Sequence, residues 1–141
     1  MERPTAPWAW LQTHASHHSE FAARGDWADR TIADHAIALA GADPDFVQFF
    51  AGDSHVPIAE LLADEEALSV SLAALGLMSG DVVSFQTPNW IEAAVINLAA
   101  ALSGFIINPI VPIYRDAEVG MMLADCRAKV LFTAASFRNY D

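Results

Sequence analysis

The sequence predicts an α/β domain with a mostly parallel sheet and flanking helices. Two observations carry that expectation. Short apolar runs alternate with helical patterns in the order β-hairpin-α-β-α-β-α-β. Helices of crossover length separate the later strands, which implies right-handed connections between parallel neighbours. A chain of 141 residues has the size of one domain and can build a core. It carries no internal repeat and no low-complexity tract.

Residues 1–30 read as a helical lead-in and residues 31–141 as a partial α/β unit, with a short linker around Gly41 to Pro44. Trp8 to Arg24 forms a candidate helix closed by Gly25, with Trp8, Trp10 and Trp27 as packing anchors. Thr31 and Asp34 are spaced as a helix-capping pair that opens a short helix ending near Gly41. Asp45 to Phe50 reads as a strand, Ala51 to Ser54 as a turn, and His55-Val56 as the returning hairpin strand.

Pro57 suits a first helical position, where its missing N–H is not needed. The helix should run to about Leu75, with Ile58, Leu61, Leu62, Leu68, Leu72 and Leu75 near one side. Asp64, Glu65 and Glu66 are expected on the other, as a solvated face. Gly76 ends that helix in the left-handed conformation. Val82 to Gln86 is a strand that Pro88 stops, and Asn89 is the expected cap of the next helix, with Glu92 three residues on. Trp90 to Leu102 is apolar all round and should be buried on several sides. Phe105 to Ile107 then reads as a doubly buried strand, leaving through Ile110-Val111. Asp116 to Cys126 is a helix with acids at its positive end, and Lys129 to Phe132 is a further strand. Ser136 is placed to open one more helix.

Composition removes several function classes. The net charge of -11 would repel a phosphate backbone, so nucleic-acid binding is not expected. The 54% hydrophobic content is high, but the longest apolar run is too short to cross a bilayer and is interrupted by Glu92 and Asn97. Burial is expected, not a membrane. Cys126 is the only cysteine, which rules out a disulfide framework or a cysteine zinc site within these residues. The first residues lack the basic and apolar regions of a signal peptide, and a cytoplasmic protein is the expectation.

Candidate chemistry is sparse. The seven glycines match neither Gly-x-Gly-x-x-Gly nor Gly-x-x-x-x-Gly-Lys, so both nucleotide fingerprints are absent. His14, His17 and His18 have helical metal-ligand spacing, with Glu20 nearby. No third firm zinc ligand is marked, and a solvated histidine-rich face is expected, with no metal. His35 and His55 read as structural or exposed, and Cys126 as a small buried apolar residue. Arg115 follows an apolar loop and precedes a helix. It is placed either to meet a phosphate or, more commonly for such a residue, to pair with Asp116 or Glu118 at the surface.

The stretch GDVVSFQTPNWIEAAVINLAAALSGFIINPIVPIYRDAEVGMMLADCRAKVLFT resembles the early block of the adenylate-forming superfamily, the acyl-CoA synthetases and their relatives. The anchors are Gly80, Asp81, Pro88, Asn89, Gly104, Asn108, Pro109, Pro112, Tyr114, Arg115 and Glu118. Upstream, VPIAEL (Val56 to Leu61) is similar to the family's first core motif, and WADRTIAD (Trp27 to Asp34) to its lead-in helix. Pro57 stands where that motif usually has Ser or Thr. The Asn108-to-Arg115 phrase resembles stand-alone acyl- or aryl-CoA ligases, and the closing FRNYD looks like cyclohexanecarboxylate- or aryl-acid-CoA ligases.

The resemblance covers about residues 25–141 and implies that they are part of the large N-terminal domain of a ligase several times longer. The complete enzyme would activate a carboxylic acid with ATP and magnesium, then transfer the acyl group to coenzyme A. The Ser/Thr/Gly-rich phosphate loop and the catalytic lysine of the family are absent here. This chain is therefore expected to hold no catalytic residue and no cofactor, and to be inactive alone. Arg115 is the one candidate contact, at the coenzyme A entrance. The expected partner is the remainder of the ligase, or a second copy across an exposed apolar face. The alternative is a non-catalytic α/β interaction module derived from the same scaffold.

Overall fold

The computed structural model describes residues 15–28 and 30–137. Helix α1, Ala15–Ala23, closes at Gly25, whose φ of 78° is left-handed. Behind it the Phe21 and Trp27 rings stack with centroids 5.0 Å apart, so Trp27 anchors this turn while staying half exposed. Trp8, Trp10 and His14 lie outside the described residues, as do the side chains of His17 and His18.

Helix α2, Ile32–Ala42, opens with the expected pair. The Asp34 N–H donates to Thr31 Oγ1 at 3.1 Å, and the Thr31 N–H donates to Asp34 Oδ2 at 2.7 Å. The Thr31 backbone bond, then its hydroxyl, hold the Asp34 carboxyl below the usual carboxylate range. Strands β1 (Val47–Ala51) and β2 (Ser54–Pro57) form the antiparallel hairpin around Gly52. Helix α3, Ile58–Ala74, follows at once. Pro57 is not its first residue: with ψ at 152° it remains extended opposite Val47 and caps the helix. Its ring fixes only φ, at a value that strand and helix share.

The main sheet is parallel, in the order β4-β3-β5. Strand β3 is Val82–Gln86, β4 is Ile106–Pro109 and β5 is Val130–Thr133. Helix α4 (Ile91–Ser103) links β3 to β4, and α5 (Asp116–Cys126) links β4 to β5. The chain steps from β3 outward to β4, then back across β3 to β5. Right-handed crossovers in opposite directions put α4 and α5 on opposite faces. The side chains agree. Val83 and Phe85 pack with Ile96 of α4, while Ser84 between them meets Cys126 of α5.

Helix α4 begins at Ile91, not at an Asn89 cap. The Trp90 N–H instead closes a tight turn onto the Pro88 carbonyl at 2.7 Å, which leaves Asn89 exposed and Trp90 as the extended N-cap. The helix then serves two cores. Ile91, Val95 and Leu98 pack on a cluster built by Ala36, Val56, Ile58 and Leu61, and Ile96 packs on the sheet. Strand β4 is only half buried, contrary to the doubly buried expectation, because it is an edge of this sheet. Helix α5 buries no residue completely. The helix expected to open at Ser136 does not start at the next residue, since Phe137 forms a β-bridge, and residues 138–141 lie outside those described.

The acid run on α3 departs furthest from expectation. Asp64 and Glu66 are exposed, but Glu65 is 0% exposed, and neither of its carboxyl oxygens has a hydrogen-bond partner. The buried stripe runs Ile58, Leu61, Glu65, Leu68 and Leu72, a strict three-four spacing in which Glu65 occupies a core position. Leu75, expected on that stripe, is 74% exposed at the helix C-cap. Desolvation, and then the neighbouring Glu66 charge, push the Glu65 carboxyl up from 4.5 to about 7.

Two outcomes follow. The folded chain keeps a Glu65 proton that the unfolded chain releases, so Glu65 lowers unfolding free energy as pH rises from 4.5 to about 7. Urea midpoints should therefore show Glu65→Leu gaining most over the parent on the alkaline side of that window, and least on the acid side. The second concerns Gly104, at φ 70°, where an added Cβ would sit 2.6 Å from Ser79 Oγ. Gly104→Ala should cost roughly 1–2 kcal/mol for the left-handed backbone alone, and more for that clash, in the same urea titration.

Candidate functional site

Ligand crevices in open parallel sheets form outside the carboxyl ends of the strands, where successive connections leave in opposite directions. Strand β3 ends at such a point, because β4 and β5 flank it and their helices cover opposite faces. A cleft of about 260 Å³ opens there. It is lined by Gln86 and Pro88 from the end of β3, by Pro112, Tyr114, Arg115, Asp116 and Val119 from the β4–α5 segment, and by Leu131, Thr133, Ala134 and Phe137 from β5 and beyond.

Arg115 is the extended N-cap of α5 and is exposed. Its backbone N–H donates to Glu118 Oε2 at 3.2 Å, and its Nη1 donates to the carbonyls of Pro112 at 3.0 Å and Tyr114 at 3.3 Å. The Glu118 partnership foreseen for Arg115 thus reaches its backbone, while the guanidinium lies along the preceding turn beside the cleft. Gln86 was missed as a site residue. Its Nε2 donates to the Val111 carbonyl at 3.1 Å and to the Tyr114 carbonyl at 3.0 Å. The signal was present: a long amide side chain ends a mostly apolar strand at the carboxyl edge of the sheet.

The charge balance limits what this cleft accepts. Arg115 supplies one fixed cation with donors in a planar fork, suited to a phosphate. Asp116 lies beside it and opposes a second negative group. The residues present fit one phosphate at the Arg115 end. They do not form the continuous backbone cradle that a triphosphate requires.

Behind the cleft, a polar contact ties α5 to the sheet. Asn108 Nδ2 on β4 donates to Ser84 Oγ at 3.0 Å and reaches Cys126 Sγ at 3.4 Å. The Cys126 thiol in turn points to the Leu123 carbonyl at 3.7 Å. Cys126 is half buried in this contact, so its role is packing with a polar edge. Among the described residues, no group of three or more His, Cys, Asp or Glu is arranged to hold a metal ion. Among them, also, no helix is long and apolar enough to cross a membrane.

Sheet order, opposed helices and the position of the cleft define the class: an open parallel α/β domain with its ligand crevice at the carboxyl ends of the strands. The chain belongs to the AMP-binding enzyme family, whose model matches residues 36–141. It is 31% identical over 132 residues to the medium-chain fatty-acid–CoA ligase of Escherichia coli, covering 92% of this chain and 23% of that protein. It is 27% identical to the 2-hydroxy-7-methoxy-5-methyl-1-naphthoate–CoA ligase of Streptomyces carzinostaticus, over 87% of this chain and 22% of that protein. Among solved structures, apo MbtA of Mycobacterium smegmatis superposes with a TM-score of 0.77 at 27% identity, over 89% of this chain and 24% of that one. The NpsA N-terminal subdomain of Klebsiella oxytoca, at 20% identity, shares the fold with a TM-score of 0.71 over 77% of this chain and 29% of that one. The chain therefore corresponds to an N-terminal part of an adenylate-forming enzyme, about a quarter the length of the relatives it matches.

The Asn108 contact gives a direct test. Asn108→Ala strips the buried Ser84 hydroxyl of its donor and should cost about 1–3 kcal/mol in chemical denaturation, with faster amide exchange in α5 than in α4.

Proposed function

We propose that this chain is the N-terminal part of an acid–thiol ligase acting on a carboxylic acid, ATP and coenzyme A. In that reaction the carboxylate attacks the α-phosphate of magnesium-bound ATP, giving an acyl-adenylate and pyrophosphate. The coenzyme A thiol then displaces AMP. The observation that carries this reading is the 31% identity, across 92% of the chain, to a fatty-acid–CoA ligase. The naphthoate–CoA ligase match supports the same acid–thiol chemistry with a different acid.

The role of these residues is positional. The described cleft offers one cation, and neither nucleotide fingerprint is present in the sequence. The chain is therefore a scaffold that is inactive by itself. Arg115 contacts a phosphate of coenzyme A at the cleft, where its fork lies beside Tyr114 and Gln86. Exposed Val111, Ile113 and Met121 border the α5 side, and the remainder of the ligase is the partner that covers them. A cytoplasmic location is part of the same proposal.

The test is acid-dependent ATP–pyrophosphate exchange by the longest polypeptide encoded in frame with these residues, assayed with medium-chain and aryl acids. Exchange with one acid class supports the ligase reading, and none with any acid overturns it. The 141-residue chain alone should give no exchange. In the active polypeptide, Arg115→Ala should raise KM for coenzyme A about tenfold or more, the worth of a charge-assisted hydrogen bond, and leave pyrophosphate exchange unchanged.

A further inference from the structure

We propose that Gln86 is a positioning residue for the cleft: its side-chain amide fixes the Val111–Tyr114 turn and, through it, the approach of Arg115. The ligand side of this inference rests on Arg115 as a phosphate contact. The mechanical side does not.

The geometry is that of a staple. The turn is closed by the Tyr114 N–H donating to the Val111 carbonyl at 3.2 Å. Gln86 Nε2 then donates to both ends of it, Val111 at 3.1 Å and Tyr114 at 3.0 Å. An amide nitrogen has two N–H groups, one for each carbonyl, so both donors are used. Chemistry also settles which end of the amide faces the turn, since two carbonyl oxygens accept only from nitrogen. A glutamate here would present acceptors to acceptors. An apolar residue of the same length would leave both carbonyls without this donor.

Gln86 is well placed to transmit rigidity. Its strand is the centre of the sheet, paired on both edges, with Val82 to Phe85 buried. The backbone ladder reaches the loop only as far as the Ile110 N–H, which donates to the Phe85 carbonyl at 2.8 Å. Beyond Ile110 the chain runs to α5 along a surface where Val111, Ile113 and Tyr114 are all exposed. Gln86 is the next tether from the sheet. The Tyr114 carbonyl that accepts from Gln86 also accepts from Arg115 Nη1 at 3.3 Å, and the same Nη1 reaches Pro112 at 3.0 Å. Strand, turn and guanidinium are thus joined through one shared acceptor. Gln86 is neutral, so it orders the cation without adding a charge to compete for a phosphate.

The experiment compares the parent chain with Gln86→Met and Gln86→Glu, with Arg115→Ala as reference. Amide hydrogen exchange is read at residues 113–115 and in β3, and adenosine bisphosphate serves as the probe of the phosphate end. The expected result is at least about tenfold faster exchange at Tyr114 and Arg115 in both Gln86 variants, with β3 protection unchanged. Probe affinity should fall about tenfold in the same variants, and further in Arg115→Ala. Turn exchange at the parent rate in both variants overturns the proposal. So does loss of β3 protection in both, which would make Gln86 a determinant of the whole fold. A parent chain that ignores the probe removes the Arg115 phosphate reading, and the turn exchange rates then decide the positioning role by themselves.

Discussion

Strand β3 is paired on both sides, and most of the molecule is placed by that pairing. Val82 to Phe85 are all buried, with alternate residues committed to opposite faces. Val83 and Phe85 receive α4, and Ser84 receives α5. Because the chain steps out to β4 and returns across β3 to β5, handedness leaves no freedom over which helix covers which face. The same step opens the crevice at the end of β3. The site is therefore a consequence of strand order before any side chain is considered. Gln86 and Arg115 are among the side chains that line it at that end.

Against this well-determined centre, the periphery is under-covered. Both edge strands are half buried and α5 buries nothing completely, while α4 is packed into two clusters. An α/β layer needs protein on both faces and at its edges to bury an apolar inventory of 54%. Relatives four times as long supply a reason for that excess. Glu65 is a different case. It is a fully buried acid with no hydrogen-bond partner for either carboxyl oxygen, and burial raises its pKa to about 7, toward the neutral form that costs less to bury.

Much of this was legible in the sequence, for identifiable reasons. The strand at Val82 to Gln86, the helix at Asp116 to Cys126 and the Thr31–Asp34 capping pair were each written in local chemistry. Pro57 and Asn89 were misplaced by one step because a cap depends on ψ and on competing turn bonds, which residue type does not fix. Glu65 was misread by grouping it with its neighbours as a charge run. Its three-four spacing from Leu61, Leu68 and Leu72 was the better signal, and periodicity should have outranked charge. Arg115 was found as a candidate because a cation beside a helix start is a sequence-level pattern. Gln86 was not, because its partners lie 25 and 28 residues away. Only the parallel register of β3 and β4 brings them together.

That contrast says what kind of site this chain provides. Local signals find residues that donate chemistry, such as glycine-rich phosphate loops, and this chain has none. Long-range contacts find residues that hold geometry, and here they converge on one turn. Gln86 ties it to the sheet, and below it Asn108 ties β4 to Ser84 and α5. Both tethers come from side chains at neighbouring positions along the strand pair, one on the rim and one in the interior. Such an arrangement fixes a loop from beneath while leaving its outer surface free for a ligand or for further protein. For the proposed ligase that form of rigidity matters, because a shift of the turn would move Arg115 relative to groups supplied elsewhere in the enzyme.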